Sequence, residues 1–388
     1  MDIQRFASSP CGRVAHARTG YDAFVPDPLP PVIAWQRTTV NALERAAVHV
    51  GRLSGYLQDR GDKITPLLIA RDAVGGVRSE GASLALAEFF ESVATDTATV
   101  DAGRLARNYI VAFEHASHRM EELPLSLRLV RELHFLLLEG VADPRSTPGQ
   151  FRRSQNWLGP AGCTLANAAF VPPPTNEMRP LLDNWEHFLH ESDGLPALIR
   201  LSLAQYQYLA IHPFLDMNGL VGALTAVAIL LHLGMTSQAL PIFGRMLERS
   251  THSLQQRVLG TCASGDWENW MSWYLHSIAD AARETYDDAI RLRNIRDDHS
   301  RRAEAACAHD GARRVLDLLF QRPVLTTEWA AEAAALPAAE ASNALDELES
   351  MRLVTHSTAH GKNVYAATDI IESLATNPLA AGGYAFPF

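Results

Sequence analysis

A chain of 388 residues that is 47% hydrophobic and 20% charged has the composition of a folded globular protein, long enough for one main core with smaller units attached, and not that of a disordered or fibrous chain. Its formal charge of -10 argues against nucleic-acid binding by broad phosphate neutralisation, which needs a basic face. No apolar run has signal-peptide or membrane-spanning length, so a cytoplasmic protein without membrane contact is expected.

Residues 1 to about 32 carry Pro26, Pro28, Pro30 and Pro31 and read as an irregular arm over the first helices. From Val32 the apolar spacing turns helical. Segments 33–58, 82–94, 101–119, 125–139, 175–191, 195–211, 220–234, 244–260 and 266–294 repeat apolar residues every three or four positions, with Gly, Pro or Asp between them. The interruption at 140–175 is rich in turn formers and too long for a mere connector, which marks it as functional. Beyond residue 300, helices at 311–320, 326–334 and 338–350 precede an alternating stretch around His360-Gly-Lys-Asn363, the pattern of three helices and a hairpin that makes a winged helix.

Cys11, Cys163, Cys262 and Cys307 show no metal-ligand spacing and read as free thiols. His115 with His118 and His187 with His190 lie one helical turn apart but lack an obvious third ligand, so solvated faces are expected. Tyr206, Tyr208 and the Trp267, Trp270, Trp273 set recur at helical spacing and are expected in the core.

The chemistry concentrates in Ile211-His-Pro-Phe-Leu-Asp-Met-Asn-Gly219, between two helical segments. The loop therefore delivers polar groups to a helix N-terminus, whose unpaired N–H groups favour anions, and Gly219 permits close approach of a bound group. Histidine, carboxylate and amide could supply a base, a metal ligand and an anion donor. A capped turn without function fits the same spacing.

This loop resembles the Fic signature, H-P-F-x-D/E-G-N-G-R-x-x-R, at His212, Pro213, Phe214, Asp216, Asn218 and Gly219. Stretches 148–159, 168–178, 195–216 and 265–275 resemble further landmarks of that family. The resemblance implies an all-α fold: a Fic-fold helical domain with a short β-hairpin flap, plus a C-terminal winged-helix domain. The expected division is an N-terminal arm and helices over 1–100, a Fic core over 101–295, and the winged helix over 305–375. It further implies His212 as the base that deprotonates a hydroxyl, Asp216 as ligand to magnesium, and Asn218 and Gly219, beside Met217, around the anion. Residues 160–174 would be the flap that aligns the acceptor. The family's usual reaction transfers AMP from ATP to a protein hydroxyl.

Three signature positions depart from the pattern. Met217 stands for a glycine that lets the loop wrap phosphates, and Leu220 and Ala223 stand for two arginines that grip the β- and γ-phosphates. A charge-assisted hydrogen bond is worth about 1.5–3 kcal/mol, so two lost bonds amount to about two to four decades of triphosphate affinity. The stretch 73–90 resembles the family's inhibitory helix, S/T-x-x-x-E-G/N, with Glu80 and Gly81 in place but Gly76 for the hydroxyl residue. In relatives the glutamate holds the second arginine, which here is Ala223.

Three readings follow. The first is a divergent Fic transferase moving an AMP-like or other phosphate-containing group to a protein hydroxyl or small-molecule acceptor, with magnesium but without tight ATP binding. The second is a Fic-fold enzyme turned to nucleotide-independent acid–base chemistry, and the third a non-enzymatic regulator. The helix expected to read DNA in a winged helix carries Glu340, Asp346, Glu347 and Glu349 and no basic residue before Arg352. Phosphates would be repelled there, so packing or homodimer formation is expected of this unit rather than DNA binding.

Overall fold

The computed structural model describes residues 1–58, 63–97, 101–141, 146–160 and 162–375. In chain order the elements are α1 (Ile3–Phe6), β1 (Gly12–His16), β2 (Asp22–Pro26), α2 (Arg37–Gln58), α3 (Thr65–Ser79), α4 (Leu86–Thr95), α5 (Asp101–Glu122), α6 (Leu127–Leu137), α7 (Thr175–His190), α8 (Ala197–Ile211) and α9 (Asn218–His232). They continue with α10 (Phe243–Ser264), α11 (Trp267–Ala305), α12 (Asp310–Leu318), β3 (Val324–Leu325), α13 (Thr327–Ala334), α14 (Ala338–Ser350), β4 (Thr355–Ala359), β5 (Lys362–Ala366) and α15 (Thr368–Ala375). The fold is mostly helical.

Helices α8 and α9 are the centre. From Leu198 to Ile211 and from Asn218 to Leu230 every residue is buried, as befits helices covered on all sides. Two amides of α8 are bonded internally: Gln205 Nε2 donates to the Gly222 carbonyl (3.1 Å) and Gln207 Nε2 to that of Asp27 (3.0 Å). Around this pair pack α5, α6, α7, α10 and α11, while α2 runs along α11. Tyr206 stacks edge-on to Trp267 and Trp270, at 4.6 and 5.8 Å, in the core.

The first 32 residues are not an irregular arm. β1 and β2 form an antiparallel hairpin from Gly12–Pro26 to His16–Asp22, and Phe24 joins Phe6 and Phe170 in a ring cluster with centroids 5.6 to 6.0 Å apart. The alternation of GRVAH and DAFVP about a Thr-Gly turn was the available signal. The prolines that mask it lie from Pro26 onward, at or beyond the end of β2.

Helix α3 is absent from the segments expected by spacing, and the 73–90 stretch is not one helix. α3 ends at Glu80, Gly81 follows with φ +87°, and α4 begins only at Leu86. Helix α11 continues to Ala305, past the expected end at 294, on a polar sequence held by ion pairs such as Arg301–Asp298. The C-terminal elements order as helix, strand, two helices and a hairpin, with a three-stranded sheet β3-β5-β4. They pack on α4 and α11, with Lys362 Nζ donating to the Thr95 carbonyl (2.7 Å) and Arg71 Nε to that of Leu374 (3.1 Å).

Candidate active site

His212 ends α8 in the left-handed conformation, φ +50°, its N–H donating to the Tyr208 carbonyl (3.0 Å). Histidine tolerates this region better than most side chains. Arg152, itself buried, clamps the turn: Nε donates to the His212 carbonyl (3.0 Å), Nη2 to those of Ile211 (3.3 Å) and Pro173, and its own N–H to that of Pro213 (2.9 Å). Burial and then the Arg152 charge pull the His212 pKa down to about 3. The imidazole is therefore neutral at physiological pH.

The rest of the loop ties itself together. Asn218 Oδ1 accepts from the Phe214 N–H (3.0 Å) while its Nδ2 donates to the Phe214 (3.0 Å) and Asp216 (3.4 Å) carbonyls. This amide shapes the loop, leaving the backbone N–H groups of α9 to face an anion. Met217 takes the glycine position with φ +53° and packs its side chain partly against the core. Gly219 and Leu220 are buried.

Asp216 is only partly exposed, and both its oxygens accept hydrogen bonds, Oδ1 from His134 Nε2 (3.1 Å) and Oδ2 from Ser146 Oγ. His134 is fixed in turn by the Gly149 N–H donating to its Nδ1 (2.9 Å) and by stacking on Phe214 at 3.9 Å. Neither His134 nor Ser146 stood out in the sequence, because a lone histidine within an apolar helix gives no signal of its partner 82 residues away. Arg152 lay in a recognised landmark without a role.

Magnesium is commonly held by one or two carboxylates together with substrate phosphates. Asp216 is the carboxylate of this loop that could serve as such a ligand. Among the described residues no group of three or more His, Cys, Asp or Glu side chains forms a metal cage. His115 instead pairs with Glu132, and His187 with Glu191.

Leu220 and Ala223, where the resembled signature has arginines, place hydrocarbon at the start of α9. A Cβ placed on Gly76 would lie 3.0 Å from Leu220 Cδ2, so the lost hydroxyl residue of α3 and a lost arginine of the loop are replaced by a glycine and a leucine in contact. Glu80 caps α3 on the same side of the loop. Its carboxyl is pushed up to about 8 by desolvation and then by the charge of Asp216, with no cation among the causes. The expected flap at 160–174 is closed by one antiparallel bridge, Leu158 to Phe170, rather than by a strand pair; residue 161 lies outside the described residues. Gln155 braces it by donating to the Pro172 carbonyl (2.9 Å).

The Fic/DOC family model matches residues 124–230, which span α6 to α9 and every loop residue above. The chain is 28% identical over 170 residues to the protein adenylyltransferase Fic of Drosophila grimshawi, covering 43% of this chain and 31% of that protein. It is equally similar to the protein of the same name from Drosophila virilis, covering 43% and 30%. This chain thus aligns with about a third of the length of these curated relatives. A crystal structure of a Fic family protein from Desulfovibrio desulfuricans superposes with a TM-score of 0.54 at 17% identity, over 87% of this chain and 98% of that one, a likeness of fold. Residues 124–230 thus carry a match to the Fic/DOC family model, within a fold like that of the Fic family structure.

Proposed function

We propose that the chain transfers a phosphate-containing group, nucleotidyl or related, to a hydroxyl acceptor, with His212 as base and without the arginine grip on a triphosphate. The observation that carries this reading is His212 itself: a buried, neutral imidazole on a backbone turn that Arg152 clamps, just before the α9 N-terminus. In the reaction the acceptor oxygen forms a bond to phosphorus, its proton passes to His212, and the bond to the leaving phosphate breaks. The first N–H groups of α9 hold the equatorial oxygens. Asp216, oriented by His134 and Ser146, would hold magnesium, which supplies charge neutralisation on the phosphate.

The name protein adenylyltransferase carried by the relatives supports a protein as acceptor and AMP as one group to test. The hydrocarbon at Leu220 and Ala223 supports a donor with less negative charge than ATP at that end. The same two residues support a second reading, acid–base chemistry by His212 on an uncharged small molecule. The C-terminal unit reads as a winged helix used for packing, since its Lys362 reaches the Thr95 carbonyl and its Leu374 carbonyl accepts from Arg71 of α3.

Incubation of the full chain with a panel of nucleoside triphosphates and diphosphate-linked donors, followed by intact-mass measurement, tests the proposal. A mass adduct formed by the wild type and absent in His212→Ala supports it, and the added mass names the group. Absence of any adduct across the panel, on the chain itself and on added acceptor proteins, would refute it.

A further inference from the structure

On the outer side of α6, facing away from His134, lies a cleft of about 580 Å³ lined by His115, Arg128, Arg131, Phe135, Pro148 and Gln150 among others. Helix α6 is two-faced: Val130, Leu133, His134 and Leu137 are buried, whereas Arg128 and Arg131 are exposed. Phe135 is 52% exposed. Its ring offers apolar surface beside the two arginines.

The charges say what kind of partner. Glu132, the one carboxylate lining the cleft, accepts from His115 (3.0 Å), Arg119 (3.2 Å) and Arg128 (2.9 Å), so it is surrounded by cations. Arg119 is also met by Glu122 at the rim, at 3.6 Å, and Arg131 has no carboxylate among its contacts at the described residues: its Nε donates to the Gly149 carbonyl (2.7 Å). A protein of net charge -10 therefore holds here a locally basic cleft with an aromatic floor. Acidic chains with an apolar side chain match it, and basic ones do not.

Gly149 joins this cleft to the candidate active site. Its carbonyl takes the Arg131 guanidinium, its N–H goes to His134 Nδ1, and His134 Nε2 reaches Asp216. A segment seated in the cleft lies against the same 146–152 loop that carries Ser146 and Arg152 to the site.

We propose that this cleft docks an acidic peptide stretch of the acceptor protein, its carboxylates on Arg128 and Arg131 and an apolar side chain on Phe135. The inference rests on the transfer reading only in assigning the stretch to an acceptor; the binding itself is independent of chemistry.

Fluorescence anisotropy with the full chain tests it, using two labelled peptides of equal length, one of Asp, Glu, Leu and Ser, the other with Lys for every acid. The acidic peptide is expected to bind at least about tenfold more tightly and to weaken as salt screens the arginines. Arg128→Glu combined with Phe135→Ser alters exposed side chains, should keep the wild-type melting curve, and is expected to lose at least that factor. Arg128→Ala alone gives a milder loss and serves if the double variant does not fold. Equal binding of the two peptides, no binding of either, or wild-type binding by a folded variant overturns the proposal. His212→Ala should bind the acidic peptide as the wild type does, so an absence of transfer chemistry leaves this result standing.

Discussion

At the scale of single residues, the proposed site has His212 as its candidate base and hydrocarbon at Leu220 and Ala223. Glu80 shows the electrostatic consequence. Its pKa rises from 4.5 to about 8 on folding, so between those values the folded chain retains a proton that the unfolded chain has released. Stability from this group is therefore full below pH 4.5 and falls as pH rises through 8. Thermal melting without divalent metal should show Glu80→Gln gaining several degrees on the wild type between pH 5 and pH 9, a shift of roughly 2–4 °C per kcal/mol for a domain of this size; parallel curves would show that Glu80 has a counter-charge. His212 has the opposite sign. Its folded pKa of about 3 lies below the ordinary 6.5, so stability is lost as pH falls from 6.5 toward 3, and His212→Gln should flatten that limb of the same curve.

Because Ala223 offers Glu80 no charge, Glu80→Ala should leave any transfer activity within a few-fold of wild type, read from initial rates of adduct formation. Large activation would mean that inhibition persists through another contact. The triple change Met217→Gly, Leu220→Arg and Ala223→Arg restores the loop shape and both phosphate contacts. The triple variant, with Glu80→Ala added so that the carboxylate cannot capture the new guanidinium, is expected to recover about two to four decades of ATP affinity by calorimetry, from two charge-assisted bonds.

At the scale of elements, α3 is pinned by α10 beneath it. The buried Asp72 carboxylate caps α10 by accepting from the Gly244 (3.1 Å) and Arg245 (2.8 Å) N–H groups, and takes the Tyr109 hydroxyl as well (3.0 Å). Asp72→Ala removes the cap and strands three buried donors, and should cost about 2–4 kcal/mol in urea unfolding. A loss under about 0.5 kcal/mol would place the cap in the range of an ordinary surface substitution. Helices such as α8 and α9 were legible in the sequence because apolar spacing survives burial on every side. The β1–β2 hairpin was hidden by the prolines that follow it, and α3 by a mixture of Gly75, Gly76 and buried charge that blurs its period. His212 and Asp216 stood out through the resemblance, and the structure places both on the loop between α8 and α9. The residues that position them, Arg152, His134 and Ser146, did not stand out, since each acts through a contact distant in sequence.

At the scale of the whole molecule, the C-terminal elements and the helix bearing Glu80 are bonded together. Arg71 of α3 reaches the end of α15, Lys362 reaches the end of α4, and His299 of α11 pairs with Asp369 at 2.6 Å. Deleting residues 306–388 removes these partners and leaves Arg71 buried with only Glu248. Hydrogen exchange is expected to speed up in α4 and the last turn of α3 while α8 and α9 stay protected. Unchanged exchange in α4 would show that the two parts are merely adjacent. No helix among the described residues is long and apolar enough to cross a membrane.

The decisive measurement is calorimetric titration of the full wild-type chain with ATP and magnesium. With hydrocarbon at Leu220 and Ala223, binding should be millimolar or weaker, about -4 kcal/mol or less favourable. Micromolar affinity would contradict the loss of the triphosphate grip, and with it the case for a donor other than ATP.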